Sequence, residues 1–162
     1  MVRNLAELGP ALQRIVVRLQ DNQKLLKLLY YTDKDPLHKA DLSAEDIKEK
    51  IFEKLIKVVP RVGPKETANS IIVLRVAGGE RDPENDEFRN ISLVVEVFVP
   101  LTQWIIKDPN LRPFSIMGEV QRSLVGKTIN GIGQIIGGDF TLNFLTEEIS
   151  CYEMSFEVIN YG

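Results

Sequence analysis

The stretch from Phe88 to Pro100, Phe-Arg-Asn-Ile-Ser-Leu-Val-Val-Glu-Val-Phe-Val-Pro, limits the possible folds more than any other part of the chain. Ile91, Leu93, Val95, Val97 and Val99 alternate with Ser92, Val94, Glu96 and Phe98. Side chains on a strand point to opposite faces in turn, so this pattern predicts a strand with one fully apolar face and one partly covered face. β-branched residues favour the extended backbone, and Pro100, which has no N–H, stops it. Such a strand belongs inside a sheet, with helices or a second layer on its dry side.

A chain of 162 residues, 44 % hydrophobic and 27 % charged, fits one soluble domain with a sizeable core. The single-domain reading spans residues 1–162, with a helical part over 1–60 and a strand-strand-helix-strand-strand part over 70–162. Net charge is −3, which gives no push toward nucleic acid. The charge is uneven. Residues 1–66 hold 13 Lys and Arg against 10 Asp and Glu, a net +3, and residues 67–162 hold 7 against 13, a net −6. That asymmetry suits complementary charged surfaces, and equally two solvated faces. The single cysteine, Cys151, excludes an internal disulfide, as expected for a protein made in a cytoplasm. The first residues lack the apolar core of a signal peptide, and no stretch reaches the ~20 apolar residues a membrane helix needs.

Gly9-Pro10 predicts a helix start, because a proline's missing N–H costs nothing in the first turn. Leu12, Ile15 or Val16, and Leu19 give its apolar stripe. Asp21 or Asn22 either caps a second segment through Leu25–Tyr31 or lies within one continuous helix. Asp35-Pro36 marks a turn. Ser43 predicts the cap of a further helix, with Ile47, Ile51, Phe52, Leu55, Ile56 and Val59 on its inner face, Glu53 and Lys57 paired outside, and Pro60 at its end. Residues 70–77 and 88–100 predict a hairpin with a long acidic tip over 78–90. Pro113 opens a helix with Ile116, Val120 and Leu124 on one side, and Gly126 closes it. The glycines at 131, 133, 137 and 138 read as a loop with tight turns. Strands over 139–146 and 150–160 follow, the first alternating through Phe140, Leu142 and Phe144 and the second through Tyr152, Met154, Phe156 and Val158. The expected fold class is α+β: a four-stranded, mainly antiparallel sheet with one helix packed across it, preceded by two N-terminal helices.

No chemical signature stands out. Gly126-Lys127-Thr128 lacks the earlier glycine of a phosphate loop, since position 121 is Gln. His38 is the only histidine and has no cysteine near it, so no zinc site is expected. Glu147, Glu148, Glu153 and Glu157 are the only carboxylates suggesting acid–base chemistry, and solvation or a subunit contact accounts for them better. The lysines at 48, 50, 54 and 57 alternate with Glu45, Asp46, Glu49 and Glu53, too mixed a surface for strong binding to nucleic acid. No cofactor, no metal and no enzymatic activity are expected.

From Trp104 to Leu124 the chain reads Trp-Ile-Ile-Lys-Asp-Pro-Asn-Leu-Arg-Pro-Phe-Ser-Ile-Met-Gly-Glu-Val-Gln-Arg-Ser-Leu, and this stretch resembles the small neck and tail-completion proteins of long-tailed bacteriophages. Gly131 to Tyr152, Asn22 to Tyr31 and Asp35-Pro36-Leu37 are similar to the same group. The resemblance implies a structural virion protein, most like a tail terminator. Such a protein forms a ring, commonly of six copies, that caps the tail tube and receives the head connector. The implied partners are its own copies, the tail tube protein, the head connector or stopper protein, and DNA passing through the channel without specific binding, with no membrane involved. The alternatives are a head-completion or stopper protein, a small soluble enzyme with a carboxylate site, and an adaptor that binds a peptide along a sheet edge. On this reading Glu80, Asp82, Glu84, Asp86 and Glu87 of the hairpin tip, with Trp104 and Arg112, are the subunit or channel contacts.

Overall fold

The computed structural model describes residues 5–59, 62, 68–84, 89–107, 110–129 and 133–161. A 3-10 turn, Leu5–Glu7, leads into α1 (Leu8–Gln20) and α2 (Gln23–Tyr30). After them come α3 (Ala44–Asp46), β1 (Ile56–Lys57), β2 (Ile71–Arg81), β3 (Arg89–Pro100), β4 (Ile105–Ile106) and β5 (Asn110–Leu111). The chain finishes with α4 (Arg112–Leu124), β6 (Thr128–Ile129), β7 (Gly133–Leu145) and β8 (Ile149–Tyr161). Asn22 makes the break between α1 and α2: its side chain accepts a 3.1 Å hydrogen bond from the Leu25 N–H, which caps α2.

The sheet differs from the expected one. It has six strands in the order β1-β2-β3-β8-β7-β6 and is curled, and β4 and β5 form a separate pair. The expected four strands are its centre, β2-β3-β8-β7, all antiparallel. One added strand comes from the region expected as a helix. Ser43 does cap, its Oγ accepting from the Asp46 N–H at 3.1 Å. After α3, however, the chain makes a π turn over Ile47–Ile51, Glu53 takes a left-handed φ of 56°, and Ile56 and Lys57 pair parallel to Ile72 and Val73. Glu53 accepts from the Val58 N–H at 3.0 Å, a use of its side chain that the expected surface pair with Lys57 did not anticipate. Ile51, Leu55 and Ile56 are buried either way. The strand form also satisfies backbone groups at the β2 edge, so tertiary pairing overrides the helical spacing.

The other change concerns the glycine-rich loop: Gly133 to Gly138 form the first half of β7, and Gly131 lies outside the described residues. Gly133, Gly137 and Gly138 have φ of 121°, 99° and 112°. The register skips Gly138 between Gly137↔Phe156 and Asp139↔Ser155, a bulge that bends the strand. At Gly137 a Cβ would stand 3.1 Å from the Ser155 carbonyl oxygen, so no larger residue fits without strain. Likewise the expected 78–90 loop is strand at both ends, with Gly78 to Arg81 pairing with Ser92 to Arg89.

The core lies between the sheet and three helices. Ile91, Leu93, Val95, Val97 and Val99 are all buried, as the alternation predicts. Met154 and Phe156 of β8 stand beside Val95 and Leu93 on the same face. From α4, Ile116, Val120 and Leu124 are fully covered, each contributing roughly 1.5–3 kcal/mol of burial. Helical spacing on α1 places Ile15, Val16 and Leu19 in the same cluster, and α2 adds Leu25, Leu26, Leu28 and Leu29. The N-terminal helices are therefore part of the core. Among the described residues no helix is long and apolar enough to cross a membrane.

Candidate interaction surface

Among the described residues, β7 carries the largest group of exposed large apolar side chains. β6 pairs only with Gly133 and Gln134, and the α4 tail reaches Ile135 through Gly126 N–H to Ile135 O at 3.0 Å. From Ile136 to Leu145 the outer edge has no strand partner among the described residues. On this segment Phe140 is 60 %, Leu145 58 %, Leu142 47 % and Phe144 41 % exposed. An open edge is usually blunted by lysine, proline or charge. Here β7, Gly-Gln-Ile-Ile-Gly-Gly-Asp-Phe-Thr-Leu-Asn-Phe-Leu, has Asp139 as its only charge and contains no lysine or proline.

Sheet geometry distributes these side chains over both faces. Phe140 and Leu142 stand opposite Met154 and Tyr152, on the helix side of the sheet. A second bulge, between Leu142 and Phe144, turns Phe144 to the other face, beside Cys151 and 5.9 Å from the Phe98 ring. The expectation that Phe140, Leu142 and Phe144 share one face fails on this bulge. On the helix side Phe140, Tyr152, Phe114 and Trp104 form a continuous aromatic cluster, with ring centroids 6.2 Å, 5.5 Å and 6.4 Å apart in that order. Phe114 is 40 % exposed, and Ile105 beside Trp104 is 67 % exposed. α4 lies over the other end of the strand through Gln121, next to Gly138, and reaches this end through Phe114, which leaves Phe140 and Leu142 exposed.

Of the residues expected to make contacts, Trp104 lies in this cluster, half-buried, with its Nε1 donating to Ser150 Oγ at 3.0 Å. Glu80, Asp82 and Glu84 lie at the opposite end of β3, at the β2–β3 tip, where Glu80 pairs with Asn90 and Asp82 Oδ1 accepts from the Glu84 N–H at 2.8 Å. The length of β3 separates them from Trp104 by on the order of 30 Å. Asp86 and Glu87 fall outside the described residues. Arg112 is fully buried and has an internal role. Its guanidinium donates to the carbonyl oxygens of Gln103 (2.8 Å), Leu28 (2.6 Å), Tyr31 (2.9 Å) and Asp33 (2.5 Å). Asn69 donates to the carbonyls of Leu29 and Tyr30, so the C-terminal end of α2 is capped by two side chains from distant parts of the chain. Burial lowers the Arg112 pKa from its ordinary value, and nearby Asp33 opposes that shift.

The other face of the sheet carries the carboxylates. Arg75 bridges Glu96 (2.9 Å) and Glu153 (3.3 Å), and Glu153, Glu157, Asp139 and Ser155 line a shallow groove beside it. Glu153 and Glu157 share a face, as alternation predicts. Cys151 is buried among them. Loss of water, with Glu96 adding to it, pushes the thiol pKa up to about 12, so the sulfur stays protonated and is a poor nucleophile. His38 lies on the surface, 2.5 Å from Asp35. Among the described residues no group of three His, Cys, Asp or Glu is placed to hold a metal ion. The sequence marked Phe140, Leu142 and Phe144 as a strand face but gave no sign that they stay uncovered.

In comparison with known proteins, the family model YomW matches residues 22–158. No curated protein matches the chain.

Proposed function

The chain belongs to the YomW family, a phage-associated family, and on that premise we propose that it is a structural protein of a phage particle that acts by assembling with copies of itself. The observation that carries this reading is the open, apolar β7 edge with its aromatic cluster. An apolar edge of this length is an aggregation hazard unless a partner covers it. The opposite edge of the sheet is also open. β1 pairs only with Ile72 and Val73, so β2 beyond Val73 has no outer partner among the described residues. A subunit with two unlike open borders suits head-to-tail contacts, which close into a ring when the rotation fits. The sequence resemblance to tail terminators gives the specific form of the proposal: a ring, commonly of six copies, that caps the tail tube and meets the head connector, with the acidic β2–β3 tip facing DNA in the channel.

Light scattering coupled to size-exclusion chromatography, with negative-stain imaging, tests the assembly. Rings are expected at micromolar concentration. Single copies at every concentration refute the self-assembly, and virions that lack the protein refute the structural role. A monomer that pairs an extended peptide along β7 favours an adaptor instead. Neutralising Glu80, Asp82, Glu84, Asp86 and Glu87 together tests the channel role. Rings should form while DNA passage falls, and full infectivity from such a phage rejects that role.

A further inference from the structure

We infer that the β7–β8 turn of one copy docks, through Glu147 and Glu148, into a basic groove between the helices of a second copy. The inference rests on the self-assembly reading and identifies the two surfaces that would meet. The turn is rigid: Thr146 Oγ1 accepts from the backbone N–H groups of Glu148 (3.2 Å) and Ile149 (3.1 Å), and the Thr146 N–H donates to the Ile149 carbonyl at 2.9 Å. It holds two exposed carboxylates that form no ion pair among the described residues, directly after the exposed Leu145.

The groove, of about 440 Å³, lies where the α1–α2 junction meets α4. Arg18, Lys24, Arg122 and Lys127 supply four positive charges against Asp21 and Glu119. Glu119 is already engaged, accepting from Asn22 Nδ2 at 3.0 Å and from Arg122 Nη1 at 3.1 Å. Lys24 and Lys127 have no ion pair among the described residues, so the groove keeps a positive surplus that matches the turn. Val17, exposed beside Arg18, offers an apolar neighbour for Leu145.

The contact has to be made between molecules. Lys127 lies beside the start of β7, its carbonyl accepting from the Ile135 N–H at 3.3 Å, while Glu147 follows the far end of that strand. The extended backbone between them spans on the order of 30 Å, so a copy cannot fill its own groove. One turn and one groove on different parts of each molecule make a heterologous pair, and in a closed ring every such site is filled.

Charge reversal tests the pairing. All four residues to be changed are exposed, and circular dichroism verifies that the variants stay folded. By sedimentation velocity, E147K/E148K and R122E/K127E should each raise the midpoint concentration of assembly about tenfold or more, and the quadruple variant should recover it. An equal mixture of the two double variants should also assemble. If either double variant assembles like the unmodified protein, or the quadruple variant fails to recover, the docking inference falls while self-assembly stands. A protein that is monomeric before any change overturns both. If R122E/K127E loses binding to duplex DNA while assembling normally, the groove serves nucleic acid and the inference is wrong.

Discussion

Replacing Arg112 should be among the most damaging single changes in the chain. An internal salt bridge can often be exchanged for apolar residues at little cost, because both partners are removed together. Arg112 differs, since its partners are the main-chain carbonyls of Leu28, Tyr31, Asp33 and Gln103, which no substitution deletes. Arg112→Ala strands carbonyls at the end of α2 and removes the positive charge that the helix dipole favours there. Water re-entering the last turn and the relief of the guanidinium's desolvation recover part of the loss. The net cost expected from breaking such a buried charged network is about 3–5 kcal/mol. For a chain of this size that corresponds to a fall in Tm of roughly 10 °C. Thermal and urea unfolding followed by circular dichroism measure it. Arg112→Met, which keeps much of the volume without the donors, should lose nearly as much, and Arg112→Lys should fall between. A melting temperature within about 2 °C of the unmodified protein for Arg112→Ala or Arg112→Met would refute the claim that these bonds hold α2 against α4.

Further outcomes follow from the same structure. Cys151, with its thiol pushed up to about 12, should resist alkylation at pH 8 in the folded protein and react once urea unfolds it; mass spectrometry of labelled samples reads this. Gly137→Ala forces a side chain into a backbone with φ 99° against the Ser155 carbonyl, and should cost about 1–3 kcal/mol in urea unfolding. The hydrogen bond from Lys39 holds the Asp33 carboxyl below its ordinary 3.8, and the one from His38 does the same for Asp35. Their contribution to stability is present above that ordinary value and is lost as pH falls through the lower folded one. Asp33→Asn/Asp35→Asn should therefore lower stability in the neutral region and flatten the acid limb of a stability–pH curve, with the variant and the unmodified protein converging at the lowest pH.

The sequence by itself determined the elements whose pattern coincides with a local rule. β3 declared itself through five aliphatic residues at every second position, and β8 did so through Tyr152, Met154, Phe156 and Val158. α4 followed from Pro113, the four-residue spacing of Ile116, Val120 and Leu124, and Gly126 with its φ of 73°. α1 and α2 were equally plain, and the structure chose Asn22 as the point between them.

Only the tertiary structure decided the rest, because in each case a non-local partner outweighed the local pattern. The apolar residues from Ile47 to Val59 fit a helical stripe, yet the open edge of β2 drew Ile56 and Lys57 into a parallel strand. The stretch around Gly137 and Gly138 read as a loop because nothing local shows that β8 is there to pair with it. Arg112 looked like a surface cation in an Arg-Pro helix start, and its burial follows from the arrival of α2, whose bare carbonyls it satisfies from some eighty residues away. Apolar alternation in β7 states that a face is apolar, but not what will cover it. α4 contributes Phe114 to the cluster at this end of β7 yet leaves Phe140, Leu142 and Leu145 exposed, and this makes an apolar strand face the candidate interaction surface.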